Sequence, residues 1–167
     1  MFARLVMHGS AALLAATLIF SSVPGTRAED NGHPATDAGI VKLKSGYPLA
    51  ETIDRLKQDI ASKGITLFSE INESQLAANA GIQARPTTLL VFGNPPLGTQ
   101  FITSNQVAGL DWPVRLLVFA DERGEVWMAY TDFDYIARRH HITDRNEAFS
   151  KASMVIASIT SSVVAKQ

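Results

Sequence analysis

Residues 114–131 read VRLLVFADERGEVWMAYT. Val114–Ala120 and Glu125–Thr131 are rich in β-branched and aromatic residues, and Asp121-Glu122-Arg123-Gly124 between them supplies charge and a glycine. Two such runs around a short glycine-containing loop are the signal of a β-hairpin. Upstream, Thr87–Phe92 (TTLLVF) is a β-rich apolar run that predicts a central strand. Ile65–Ile71 predicts another strand, with Ile65, Leu67 and Ser69 on one face, and Ile40–Lys44 alternates apolar and polar residues as a first strand does.

Helical periodicity fills the gaps. Leu49, Ile53, Leu56 and Ile60 fall on one stripe of a 3.6-residue period, with Pro48 suited to the first turn and Gly64 to the end. Asn72–Ala80 predicts a short helix capped by Asn72, with Gln75 reaching back in a capping box and Gly81 closing it. Gly93-Asn94-Pro95 turns the chain into a short helix over Leu97–Ser104, and a further helix is predicted over Asp134–His141 with Asp134 near its start. Asn146–Ala165 places Phe149, Ser153, Ile156, Ile159 and Val163 on one stripe of a terminal helix. Only the last two strands share a tight turn and the earlier connections are helical. The predicted class is therefore α+β: a mainly antiparallel sheet with helices packed on one face, of β-α-β(n)-α type. There is no internal repeat and no glycine-rich dinucleotide fingerprint, and no Gly-Lys-Ser/Thr follows Gly93–Gly98 to make a phosphate loop.

The chain opens MFARLVMHGSAALLAATLIFSSVPGTRAED, with Arg4 ahead of an apolar stretch, a Pro24-Gly25 break, and Thr26-Arg27-Ala28 as a small-residue cleavage site. This is a secretory signal arrangement, too short in its apolar part for a bilayer span. We expect residues 1–28 to be a signal peptide cleaved after about Ala28, residues 29–39 a flexible leader, and residues 40–165 one domain in the periplasm or secreted, with no stable membrane anchor after cleavage. Taking 28 residues from 167 leaves 139, enough for one core without staples. Loss of Arg4 and Arg27 moves the formal charge from −1 to −3. The remaining basic residues are scattered, so no nucleic-acid footprint or polybasic membrane patch is present. With no cysteine, disulfides, thiol catalysis, thiolate metal sites and lipoprotein processing are excluded.

As a set, Phe92-Gly93-Asn94-Pro95, Gly109-Leu110-Asp111-Trp112-Pro113, Trp127, Tyr130, and Tyr135-Ile136-Ala137 leading to Arg139-His140 resemble the bacterial and archaeal domain of unknown function 302. The resemblance covers about Ile40 to Ile142. It implies a compact α+β domain, often a homodimer, and no established activity. Relatives often carry Asp-His where this chain has Asn72-Glu73, so a histidine role there does not carry over.

The residues able to do chemistry are few. Adjacent helical residues point about 100° apart, so His140 and His141 do not both bind one metal. His140 suits a pocket as base or ligand, and a helix-end histidine, like Arg138 and Arg139, also suits the helix dipole. Asp111 and Asn94 suit turns as well as sites. Trp127 and Tyr130, three apart on a strand, face opposite sides of the sheet. The candidate ligand pocket gathers Asn72, Glu73, Asn94, Asp111, Tyr130, Arg139 and His140. Its leading reading is a non-enzymatic module binding a small molecule or a partner, as a homodimer. The alternatives are a metal- or haem-associated protein using His140 with Met128 or Met154, and an enzyme with His140 as acid or base helped by Asp134, Asp111 or Glu73. Three histidines in the mature chain are few for a metal, so none is expected, and no cofactor is indicated.

Overall fold

A computed structural model describes residues 35–164. The signal peptide over 1–28, most of the 29–39 leader and the last residue of the predicted terminal helix lie outside them. Five strands, β1 (Ile40–Lys44), β2 (Thr66–Asn72), β3 (Thr87–Gly93), β4 (Val114–Ala120) and β5 (Val126–Thr131), form one sheet in the order β1-β5-β4-β3-β2. Every neighbouring pair is antiparallel. The helices are α1 (Leu49–Ser62), α2 (Glu73–Asn79), α3 (Pro95–Ser104), α4 (Phe133–Arg139) and α5 (Asn146–Ser161), with a 3-10 turn at Gln106–Leu110. The fold is α+β, as the hairpin implies. β3 is interior, but the centre of the sheet is β4. Leu89–Phe92 are apolar on both faces of β3, as suits an interior strand, and one run of residues does not say which interior strand it is.

One face of the sheet is core. Val41, Leu43, Leu90, Phe92, Leu116, Val118 and Met128 are buried beneath Leu56 and Ile60 of α1 and Ile156 and Ile159 of α5. Phe101 of α3 stacks on Phe149 of α5 with centroids 4.1 Å apart and meets Phe133 of α4 at 6.1 Å, joining three helices through aromatic contacts. The other face carries Ile71, Leu89, Val91, Leu117, Phe119, Trp127 and Ala129, all half-buried, and no described helix covers it. No helix among the described residues is long and apolar enough to cross a membrane.

Three local expectations are corrected. Ser69 does not share a face with Leu67: Leu67 pairs with Phe92 and Ser69 with Val91, so a bulge at Phe68 flips the strand between them. Asn72 caps α2, its side chain accepting from the Gln75 N–H at 2.9 Å, but the Gln75 amide turns down the helix to Asn79 instead of closing a capping box. The terminal helix ends at Ser161, and it buries Ala152 where the stripe placed Ser153, which is half-buried. Thr160, Ser161 and Ser162 all donate side-chain hydroxyls to carbonyls of the last turns, competition that favours helix ends. Val163 then turns in to be buried, and its carbonyl accepts from the Gly46 N–H at 2.9 Å.

Candidate functional site

α4 starts at Phe133, two residues after β5 ends, because Asp132 caps it by accepting from the Tyr135 N–H at 2.7 Å. Asp134 lies in its first turn, exposed. The helix stops at Arg139, two residues short of the predicted His141. His140 is the C-terminal cap and His141 adopts a left-handed conformation, φ 53°. The His141 N–H bonds the Arg138 carbonyl and the Ile142 N–H the Ala137 carbonyl, at 3.2 and 2.9 Å. That is a Schellman ending with histidine where glycine is usual.

This ending drives His140 inward. Its Nε2–H donates to Asp111 Oδ2 at 2.6 Å, and both side chains are only 5% exposed. Arg139 Nη1 approaches both carboxylate oxygens at 3.3 Å, and Arg115 Nη2 approaches Oδ1 at 3.4 Å while donating to the Leu110 carbonyl. Asn105 closes the group from below: its amide donates to the His140 carbonyl at 2.9 Å and its Oδ1 accepts from the Val107 N–H. One buried carboxylate thus has a buried imidazole on one side and two half-exposed guanidinium groups on the other, which is how a protein keeps a buried charge compensated. Arg115 and Asn105 are absent from the sequence reading because nothing in their local spacing ties them to Asp111.

The seven predicted site residues do not form one pocket. Asp111, Arg139 and His140 meet. Asn72 pairs with Thr88 at one end of β3 and Asn94 follows Gly93 at the other, about 20 Å apart along six residues of strand. Glu73 stays exposed beside Asn72. Tyr130 pairs with Val41 on the core side of β5, three strands from β2, and Trp127 lies on the open side with Lys42 Nζ 4.2 Å above its ring. Met128 is fully buried and Met154 is exposed on α5. Among the described residues no three His, Asp or Glu side chains converge as a metal site would require.

Beside the cluster, Trp112 explains two glycines. A Cβ on Gly98 would lie 1.6 Å from its indole Nε1, and one on Gly93 would lie 3.3 Å away, so the ring sits flush against α3. Phe68, pushed out by the β2 bulge, meets the indole edge-on at 6.3 Å.

A helix-backed antiparallel sheet with a self-compensated polar cluster at one end defines a small α+β module. The chain belongs to the family described as domain of unknown function DUF302, whose model matches residues 41–159. A crystal structure of an uncharacterized conserved DUF302 protein from Bacillus stearothermophilus shares the fold: TM-score 0.68 at 15% identity, over 75% of this chain and 98% of that one. Among curated proteins, the fluoride-specific ion channel FluC 1 of Brucella suis biovar 1 (strain 1330) is 34% identical over 116 residues, 70% of this chain and 46% of the relative. The fluoride-specific ion channel FluC 2 of Brucella melitensis biotype 1 is 34% identical over the same length, 43% of that protein. The chain thus spans less than half the length of these relatives.

Proposed function

We propose that this chain is an exported binding module that acts by surface contact and not by catalysis, with a second copy of itself as partner on the open sheet face. The observation that carries this is the half-buried apolar patch of Ile71, Leu89, Val91 and Leu117 on the open face, continued toward β1 by Phe119 and Trp127 beneath Lys42. Five strands about 4.8 Å apart and roughly 20 Å long give about 500 Å² in projection, the scale at which an apolar patch marks an interaction site. Against an enzyme stands the burial of His140, whose side chain is 5% exposed and held by Asp111; a general base must come within hydrogen-bond reach of its substrate. Light scattering on the chain from Glu29 onward tests the proposal. A dimer that Leu117→Lys converts to a folded monomer supports it, and a wild-type monomer at micromolar concentration overturns it.

The channel relatives favour a second reading, a module that serves an ion-handling membrane protein. Its test is growth in fluoride: deletion of the chain lowers fluoride tolerance under this reading, and unchanged tolerance removes it.

A further inference from the structure

An apolar cavity opening into a polar cleft lies between α3 and α5. A small cavity of about 30 Å³ is floored by Phe92, Phe101, Trp112, Val155 and Ile156. It shares Asn94 and Leu97 with an open cleft of about 380 Å³ lined by Gln100, Glu147 and Lys151. Cavity and cleft together reach the lower end of the volumes small-molecule sites occupy, roughly 300–1,000 Å³.

Of the polar groups around it, the Gln100 amide is committed to the Pro96 carbonyl at 3.0 Å, and three others are not. Among the described residues the Lys151 ammonium has no ion pair, the Asn94 side chain makes no capping bond, and the Trp112 Nε1–H has no acceptor. Pro95 and Pro96 remove two backbone donors from the start of α3, so recognition at this mouth falls to side chains. A short apolar body matches the floor, and at the rim the Lys151 ammonium and the Asn94 donor match an acceptor of negative charge. The Glu147 carboxylate, one turn earlier on α5, opposes an anion and confines it to the Lys151 and Asn94 side.

We propose that this recess binds a small amphipathic carboxylate, its apolar body on Trp112 and its carboxylate at Lys151 and Asn94. Lys151 supplies the charge, Asn94 a neutral donor, and Trp112 closes the apolar end because Gly93 and Gly98 let its ring lie against α3. The proposal does not depend on oligomeric state or on the sheet face.

The test follows the Trp112 indole N–H by NMR in the intact mature chain, with Trp127→Phe assigning the two tryptophan signals. 3-Phenylpropionate is expected to shift the Trp112 signal saturably with Kd below about 1 mM, and 3-phenylpropanol to bind at least about tenfold more weakly. Lys151→Met, a surface change, is expected to reduce the acid to the level of the alcohol. No saturable shift up to about 10 mM acid, equal affinity of acid and alcohol, or indifference to Lys151→Met would each overturn it.

Discussion

Two seven-residue helices, α2 and α4, follow the same local rules and end differently. Each is capped by an Asx side chain that accepts from the third residue beyond it, Asn72 from Gln75 and Asp132 from Tyr135. Each closes in a Schellman ending on a left-handed residue, Gly81 (φ 75°) and His141 (φ 53°), with matching N–H bonds from Ile82 to Ala77 and from Ile142 to Ala137. Yet α2 buries no residue and leaves Leu76 and Ile82 exposed, whereas α4 buries Phe133 and Ile136 and delivers His140 to Asp111. Identical start and stop signals therefore make a helix in both places, and only what lies across from it decides whether it helps to build a site.

The sharpest way to break this contrast is at Asp111. Asp111→Ala strands a buried imidazole and releases Arg139 and Arg115, and should cost about 3–5 kcal/mol in urea unfolding. On α2, Leu76→Ala should change stability by less than about 0.5 kcal/mol. Equal losses would mean that α2 is packed after all.

The next effect compares two left-handed glycines. A Cβ on Gly39 would fall 2.1 Å from the Tyr135 ring of α4, but one on Gly81 would meet nothing within 4 Å. Gly81→Ala should cost about 1 kcal/mol from backbone strain alone. Gly39→Ala should cost about 2–4 kcal/mol, because the ring must also move.

His141→Gly removes the left-handed cost on the α4 side and should stabilise the protein by about 0.5–1 kcal/mol in thermal unfolding. The smallest effect is one of pH. The Ser104 hydroxyl, donating to Asp144 at 2.5 Å, holds that carboxyl below its usual range against opposing desolvation, with Arg145 adding to the effect. A depressed carboxyl stabilises the fold above the unfolded value near 4, and the benefit is lost as pH falls through the folded one. Wild type and Ser104→Ala should therefore converge in stability below about pH 4, read from thermal midpoints across pH.

The hairpin, the α1 stripe, the Asn72 cap and the class of fold were legible because each rests on neighbours within a few residues; the Asp132 cap of α4 was not read, the helix start being placed at Asp134. The β2 bulge was not, because it is visible only once Leu67 and Ser69 are paired with adjacent residues of β3. The early stop of α5 depends on three hydroxyls competing for its carbonyls, and no apolar stripe signals that.

The same division holds for the site. His140, Arg139 and Asp111 were named as residue types fit for chemistry, and Trp112 as part of a motif. That Asp111 closes on His140, that Arg115 and Asn105 complete the group, and that Asn72 and Asn94 lie at opposite ends of β3 follow from strand order and register. The sequence by itself determined which segments form helices and strands, because those choices are set by local hydrogen bonding and periodicity. The tertiary structure alone decided which polar groups share a charge environment, because electrostatic pairing depends on distance in space, and residues 29 positions apart have no distance until the sheet is assembled.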